Sequence, residues 1–477
     1  MSNLSELLPA GAGAKSASFV ASGTLGSGVT VALKSNGTVT AIASDANPQA
    51  IGTPVVFESA SAAFSSTAYD SANNKIVIAY RDAGNSDYGT AVVGTISGTS
   101  ISFGTPVVFY SSSVSGISAT YDANSQKIVI LYIQSAIVGT ISGSSISFGT
   151  PVVFNTSGTI YTSSAFDSIN NKIVIAYRDG SNLYGTAIVG TVSGTSISFG
   201  SEATFESQQI DRTGMAFDAA SGKIVIAYQN VAQGRKGYAV VGTISGTSIS
   251  FGSSVVFQNS SIEYTTPSIV YDTNAEKVVI AYRNTGSSGV GKAIVGTVSG
   301  TSISFGSAVT FNASSTSYIS ASYDTSAGKV TIGYYDSGNS NYLTGIVGTV
   351  SGTSISFGSE FTLSAIVPND VSSAYDSTNN KVVFAYQNTS NSSYGTALVF
   401  QNEGSNSADF IGISDAAISD TASGSVTIKG GISTNVTGLT PNATYYVQTD
   451  GSLSTTASDV LAGKALSSTS INLDYTS

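Results

Sequence analysis

A repeat of roughly 52 residues constrains this chain more than any other feature, so its period has to be satisfied before any site is considered. A Tyr/Phe-Asp pair followed closely by Lys-Ile/Val-Val/Thr recurs seven times, with its lysine at Lys75, Lys127, Lys172, Lys223, Lys277, Lys329 and Lys381. The spacings between those lysines are 52, 45, 51, 54, 52 and 52 residues. We number the units one to seven by these lysines.

The stretch YDSANNKIVIAYRDAGNSDYGTAVVGTISGTSISFGTPVVF, together with the residues before it, parses into four strands. Ser65–Tyr69 (SSTAY) is the first and is rich in small residues. Lys75–Tyr80 (KIVIAY) is almost wholly apolar, as a strand covered on both faces should be. Gly89–Ser97 is the third strand and Ser100–Phe109 the fourth, joined by Gly98-Thr99, where glycine in first place suits a type II′ turn. Equivalent glycines stand at Gly143, Gly194, Gly246, Gly300 and Gly352. Pro54, Pro106 and Pro151 fall in strand four, which marks it as an outer edge. Small residues in strand one suit the opposite position, crowded about a central axis.

A count of partial repeats favours ring closure. Strand two occurs seven times but SISFG only six, because Tyr394–Phe400 runs into QNEGSNSADF with no fourth strand after it. An orphan fourth strand, Gly52–Phe57, precedes unit one instead. The expected fold is therefore all-β: a seven-bladed β-propeller of four-stranded blades, closed by that N-terminal strand. Closure would remove an edge open to aggregation.

Composition narrows the chemistry. The 477 residues are 41% hydrophobic and only 10% charged, with net charge −10, which argues against nucleic-acid and anionic-membrane partners. Cysteine and histidine are both absent, which excludes disulfides, thiolate and imidazole metal ligands, and histidine-dependent triads. No cofactor or metal is expected. No segment has the length of a transmembrane helix, so no membrane insertion is expected. The start lacks the basic and apolar run of a secretory signal.

The domain reading is an arm at 1–17 with one helical turn at Ser5–Leu8 stopped by Pro9, a β module beginning at 18–49, the propeller at 50–401, and the module resuming at 402–477. Asn36-Gly37 and Asp450-Gly451 are expected turns of the module, with strands at Ser425–Lys429, Tyr445–Gln448 and Ser468–Asp474.

The opening NLSELLPAGAGAKSASFVASGTLGSGVTVALKSNGTVTAI resembles N-termini of tailed-phage virion proteins, particularly from phages of marine and cyanobacterial hosts. The ending, FIGISDAAISDTASGSVTIKGGISTNVTGLTPNATYYVQTDGSLSTTASDVLAGKALSSTSINLDY, is similar to a segment of phage tail-fibre and virion-surface proteins. The resemblance covers roughly the first 45 and last 70 residues and carries no catalytic signature. It implies a propeller inserted into one small β module formed by both termini, where insertions are tolerated. It also implies other virion proteins as partners, localisation to the virion and, by analogy with fibres, a homotrimer.

The loops between strands two and three vary between units, whereas the aspartate and Gly-Thr turns at the other end hardly do. The variable end is thus the candidate binding face for a host-surface glycan or protein, against the alternative of drift in unconstrained loops. Candidate ligand-binding residues there are Arg81, Asp82, Tyr88, Arg178, Asp179, Tyr184, Arg235, Arg283, Tyr335, Tyr342 and Tyr394, with Tyr238 beside them. Guanidinium groups and tyrosines suit hydroxyl-rich or acidic sugars. The competing reading is that the tyrosines open strand three and pack against their neighbours. Asp70, Asp122, Asp167, Asp218, Asp272, Asp324 and Asp376 read as turn caps, with the adjoining lysines pairing with them at the rim.

Gly286–Lys292 (GSSGVGK) imitates a phosphate loop, but Ala293 replaces the required Ser/Thr and no helix follows. Asp82 and Asp179 could form an acid–base pair, yet nothing in the sequence sets their separation. Three classes stay open: a receptor-binding virion protein without catalytic activity, a purely structural virion decoration, and a carbohydrate-active enzyme.

Overall fold

The computed structural model describes residues 15–34, 36–43, 46, 48–262, 267–458 and 460–473. The expected helical turn at Ser5–Leu8 lies outside them. Two compact units emerge, Ala50–Asn402 and a smaller one drawing on residues up to Gln49 and from Glu403 onward. Among the described residues, no helix is long and apolar enough to cross a membrane.

In the larger unit the repeats are built from antiparallel strands. Strand two of unit one, Lys75–Asp82, lies between strand one and Tyr88–Ser97, with Val77 opposite both Ala68 and Val93. Ile76 to Tyr80 are each at most 1% exposed, so both faces are covered. Val77, Val174 and Val225 are fully buried, as the sequence requires. Alternation explains how one strand serves two interfaces. Val77 and Ala79 share a core with Ile128 and Ile130 of unit two, while Ile76 and Ile78 share one with Val383 and Ala385 of unit seven. Where unit seven carries the larger Phe384, unit six answers with Gly333; a Cβ there would lie 2.5 Å from the Phe384 ring.

Strand four differs from expectation. It is two short strands, Ser100–Phe103 and Val107–Ser113, each pairing only with strand three. Pro106 sits in the gap between them, so the break accommodates a residue with no ladder donor. Gly104 starts the break, its N–H donating to Val93 O at 2.9 Å. A Cβ on Gly104 would fall 1.9 Å from Ser144 O in the hairpin turn of unit two, so the units meet there backbone to backbone. Gly98 answers a different need: its φ is +60° and open space surrounds it, so the turn alone demands glycine.

Strands four and one are continuous in several places, as in Val55–Asp70, Ala203–Asp218 and Val309–Asp324. Val55–Asp70 pairs with Tyr394–Gln401 of unit seven through its first half and with Lys75–Asp82 through its second. Among the described residues no sheet closes on itself. Neighbouring first strands meet through hydroxyls: Thr67 Oγ1 and Ser372 Oγ at 2.7 Å, Ser118 and Ser164 Oγ at 2.9 Å, Ser320 and Ser373 Oγ at 2.9 Å.

The seven capping aspartates are each at most 3% exposed and accept backbone N–H groups two or three residues on at 2.9–3.1 Å. The expected pairing with the adjoining lysines does not form among the described residues. The carboxylates are occupied by the turn, and Lys75, Lys223 and Lys329 reach across to donate to Thr95, Thr243 and Thr349.

In the smaller unit, strands from both sides of the larger one interleave. Ser16–Val20 pairs with Ser423–Ile428, which pairs with Phe410–Ser414, then Thr30–Leu33 and Val39–Ala41. A second sheet holds Ile432–Ser433, Ser470–Leu473, Leu461–Ser467, Thr444–Val447 and Leu453–Ser454. Ile413 and Ala32 of the first sheet share a core with Val447 and Ile471 of the second. Gly37 (φ +81°) and Gly451 (φ +82°) turn the chain where expected. Of the expected strand Ser468–Asp474, Asp474 lies outside the described residues.

Candidate functional site

Counting back six residues from each capping aspartate reaches Phe64, Gly116, Tyr161, Arg212, Thr266, Tyr318 and Asp370. Two positions further on the repeat has serine or glycine every time, from Ser66 to Ser372, yet this position is different almost every time. Thr266 lies outside the described residues. The other six are all left-handed, with φ of 54°, 64°, 57°, 52°, 50° and 46° in chain order. For the five that are not glycine this costs on the order of 1–3 kcal/mol each. Each of those five sits at a break in register between strands one and two, a bulge that turns its side chain out of the ladder. All six line one cavity of about 470 Å³. Strain repeated at one position, around one cavity, is the mark of a built site.

The chemistry of that cavity is mixed. Phe64 is 40% exposed, an aromatic ring held in the opening. The Arg212 guanidinium lies 4.5 Å from the Tyr161 ring centre, and Arg178 lies 4.9 Å from the same ring. The two cations differ in their partners. Arg178 is ion-paired with Asp211, whereas Arg212 makes no hydrogen bond or ion pair among the described residues. Its N–H donors are therefore available, with the stacking holding them in place. Asp370 accepts the Phe64 N–H at 3.1 Å and, through its carbonyl, the Ser65 hydroxyl at 2.7 Å. Burial pushes the Tyr318 phenol up, with Asp370 and Tyr335 adding to the rise and Arg212 opposing it. Tyr318 thus stays a neutral hydroxyl between a carboxylate and a guanidinium.

The residues chosen from sequence are distributed around this cavity in different roles. Arg81, Asp82, Arg178 and Asp179 end strand two instead of starting the loop. Arg81 stacks over Phe64 at 4.7 Å and approaches Asp87 at 3.5 Å, so it supports the opening. Asp82 and Asp179 are buried turn caps. Asp82 accepts Gly84 N and Asn85 N; Asp179 accepts the Ser181 N–H and hydroxyl and the Asn155 amide. Burial alone would raise the Asp179 carboxyl, but those donors outweigh it and hold it below the ordinary carboxylate value. Each carboxylate serves its own loop, and the structure does not assemble them as a pair.

Arg235 lies 3.7 Å from Asp211 and shares that carboxylate with Arg178. Arg283 donates to Ser315 Oγ at 3.1 Å. Tyr88, Tyr184, Tyr342 and Tyr394 open strand three and are half-buried. Tyr238 is out of step with them: it pairs with Tyr228 and stacks on it at 5.9 Å, the place of Thr90 in unit one. Tyr335 donates to Asn341 Oδ1 at 2.6 Å. Among the described residues no group of three or more acidic side chains could hold a metal ion.

The fold is similar to that of solved structures. A lectin from Burkholderia pseudomallei superposes with TM-score 0.55 at 7% identity, over 73% of this chain and 99% of the lectin. A β-propeller domain from Myceliophteria thermophila gives TM-score 0.50 at 8% identity, over 74% of this chain and 99% of that domain. The chain is an all-β repeat protein of β-propeller-like fold. At such identities the likeness reaches no further than the fold. No protein-family model and no curated protein matches the sequence.

Proposed function

We propose that the chain is a non-enzymatic phage virion protein whose repeat domain is a seven-bladed propeller, closed by the N-terminal strand and displaying a glycan-binding mouth. One observation carries the binding assignment: the unrepeated, left-handed position of six units faces a single cavity and brings to it Phe64, Tyr161, Arg212, Tyr318 and Asp370. Aromatic faces, a phenol, a carboxylate and a guanidinium with open donors together suit the mixed polar and apolar surface of a sugar.

Closure is supported by the pairing of Val55 with Ala397 and by the core shared between units seven and one. The virion assignment rests on the terminal segments, which resemble phage virion proteins and interleave in one β module suited to attachment. The lectin of similar fold is consistent with sugar binding. Commitment of Asp82 and Asp179 to turn capping favours binding over hydrolysis.

The test replaces Phe64, Arg212 and Tyr318 together by glycine, which removes the side chains while suiting the left-handed backbone that Gly116 already adopts. Multivalent display multiplies weak contacts by roughly 10²–10⁴, so adsorption of particles to host cells is a sensitive readout. We expect adsorption and glycan-array binding to fall at least tenfold with assembly and melting temperature maintained. Unchanged adsorption and array binding would remove the mouth from consideration and leave a purely structural decoration role in front.

A further inference from the structure

A second cavity, of about 420 Å³, opens beside unit six and is lined by residues such as Asn312, Asp336, Glu360, Phe361 and Thr362. It shares no residue with the mouth. Its construction follows from a problem met in many units, which is how to satisfy the hydroxyl of the buried tyrosine in strand two. In units one, four and five the acceptor comes from the preceding unit, as Glu58, Glu206 or Gln258. Units three and six use their own Glu202 and Glu360, with Tyr177 and Tyr334 donating at 2.7 and 2.8 Å. The preceding unit then supplies an asparagine, Asn155 or Asn312, in the place of the glutamate.

These two related arrangements end differently. In unit three the Asn155 amide donates to both Asp179 (3.0 Å) and Glu202 (2.9 Å). In unit six Asn312 is 4% exposed and its carbonyl accepts the Ser314 N–H at 2.7 Å, which fixes the amide's orientation. Its Nδ2 has no hydrogen-bond partner. Asp336 uses Oδ1 on Gly338 N, and Glu360 uses Oε1 on Tyr334. The cavity is therefore lined by Asn312, whose amide donor is unsatisfied within the wall, and by two carboxylates with accepting capacity left over.

Those groups narrow the occupant. An unsatisfied N–H in the wall opposes a metal ion, and two carboxylates oppose an anion. A hydroxyl can accept from Asn312 and donate to Asp336 or Glu360 at once. The volume is many times the ~30 Å³ share of one water molecule. Phe361, stacked on Phe400 at 5.0 Å and 14°, supplies a fixed apolar wall. We propose that this cavity is a second saccharide subsite, taking a neutral sugar by two adjacent hydroxyls held between Asn312, Asp336 and Glu360, with a ring face against Phe361.

Ligand-observed NMR on the full chain, with methyl glucoside, methyl galactoside and methyl mannoside as probes, tests this. We expect at least one probe to bind wild type and the Arg212→Gly variant alike, and to bind Asn312→Ala at least tenfold more weakly. Glu360→Gln, which can still accept from Tyr334, serves as the second variant should Asn312→Ala fail to fold, with the same expected loss. No binding of any probe to wild type, equal binding to a folded variant, or calcium competing with the sugar would overturn the assignment. Loss of the signal in Arg212→Gly would place the sugar in the mouth and overturn it as well. Failure of the mouth reading shows separately, in adsorption.

Discussion

The contact between neighbouring units can be broken at one atom. In Gly200→Ala the new Cβ would sit 1.9 Å from Thr247 O and 2.9 Å from Thr247 C, in the hairpin turn of unit four. Cβ atoms do not approach others within 3.0 Å, so the two backbones would have to part by more than 1 Å. The obstacle is main chain held by a β ladder, with Ser245 opposite Ser248, and no side chain can rotate away. Overpacking of this kind costs about 1–3 kcal/mol. Gly194 provides the internal control. Nothing lies within 4 Å of its Cβ position, but its φ is +59°. Alanine there should cost about 1–2 kcal/mol from left-handed strain alone, and asparagine should recover most of that. Asparagine at Gly200 should be no better than alanine. Guanidinium denaturation of the four variants measures each term. A Gly200→Ala protein as stable as wild type would mean that the units do not meet through this glycine, and would refute the packing argument.

Three further outcomes follow from the same physics. Val225→Asp places an unpaired carboxylate where exposure is zero, at a cost of several kcal/mol, and should abolish cooperative unfolding or soluble expression. Asp179 has a folded-state pKa below its ordinary 3.8, so its contribution is present above that value and lost as pH falls through the folded one. The stability gap between wild type and Asp179→Asn, measured by denaturation, should therefore shrink below about pH 4. Tyr386 carries a buried hydroxyl with no well-formed hydrogen bond, and burial pushes its phenol up to about 12, opposed only by the neighbouring Ser364 hydroxyl. Tyr386→Phe should be neutral or stabilising, in contrast to Tyr228→Phe, which strips Glu206 of a donor.

What the sequence disclosed follows from how local each interaction is. The aspartate caps and glycine turns are set within four residues, so Asp70 and Gly98 could be read directly. Burial of Val77 followed from an apolar run on both faces of one strand. Strand four was harder, because its break at Gly104 answers a carbonyl in the next unit, and a one-dimensional reading sees only a glycine before a proline. The site was missed for a related reason. The conspicuous variation lies in the loops after Arg81 and Arg178, and those arginines look free until Phe64 and Asp211 are brought beside them. The informative signal was a varying position six residues before each aspartate, two before a constant serine or glycine, legible only once the units are aligned on their turns.

The proposed glycan-binding mouth is tested most directly by hydrogen–deuterium exchange of the intact protein with and without a polysaccharide that binds it on a glycan array. Protection is expected in the segments holding Phe64, Gly116, Tyr161, Arg212, Tyr318 and Asp370, while the aspartate turns at the opposite end stay unchanged. Protection confined to those turns, or none at the mouth under saturating polysaccharide, would contradict the account.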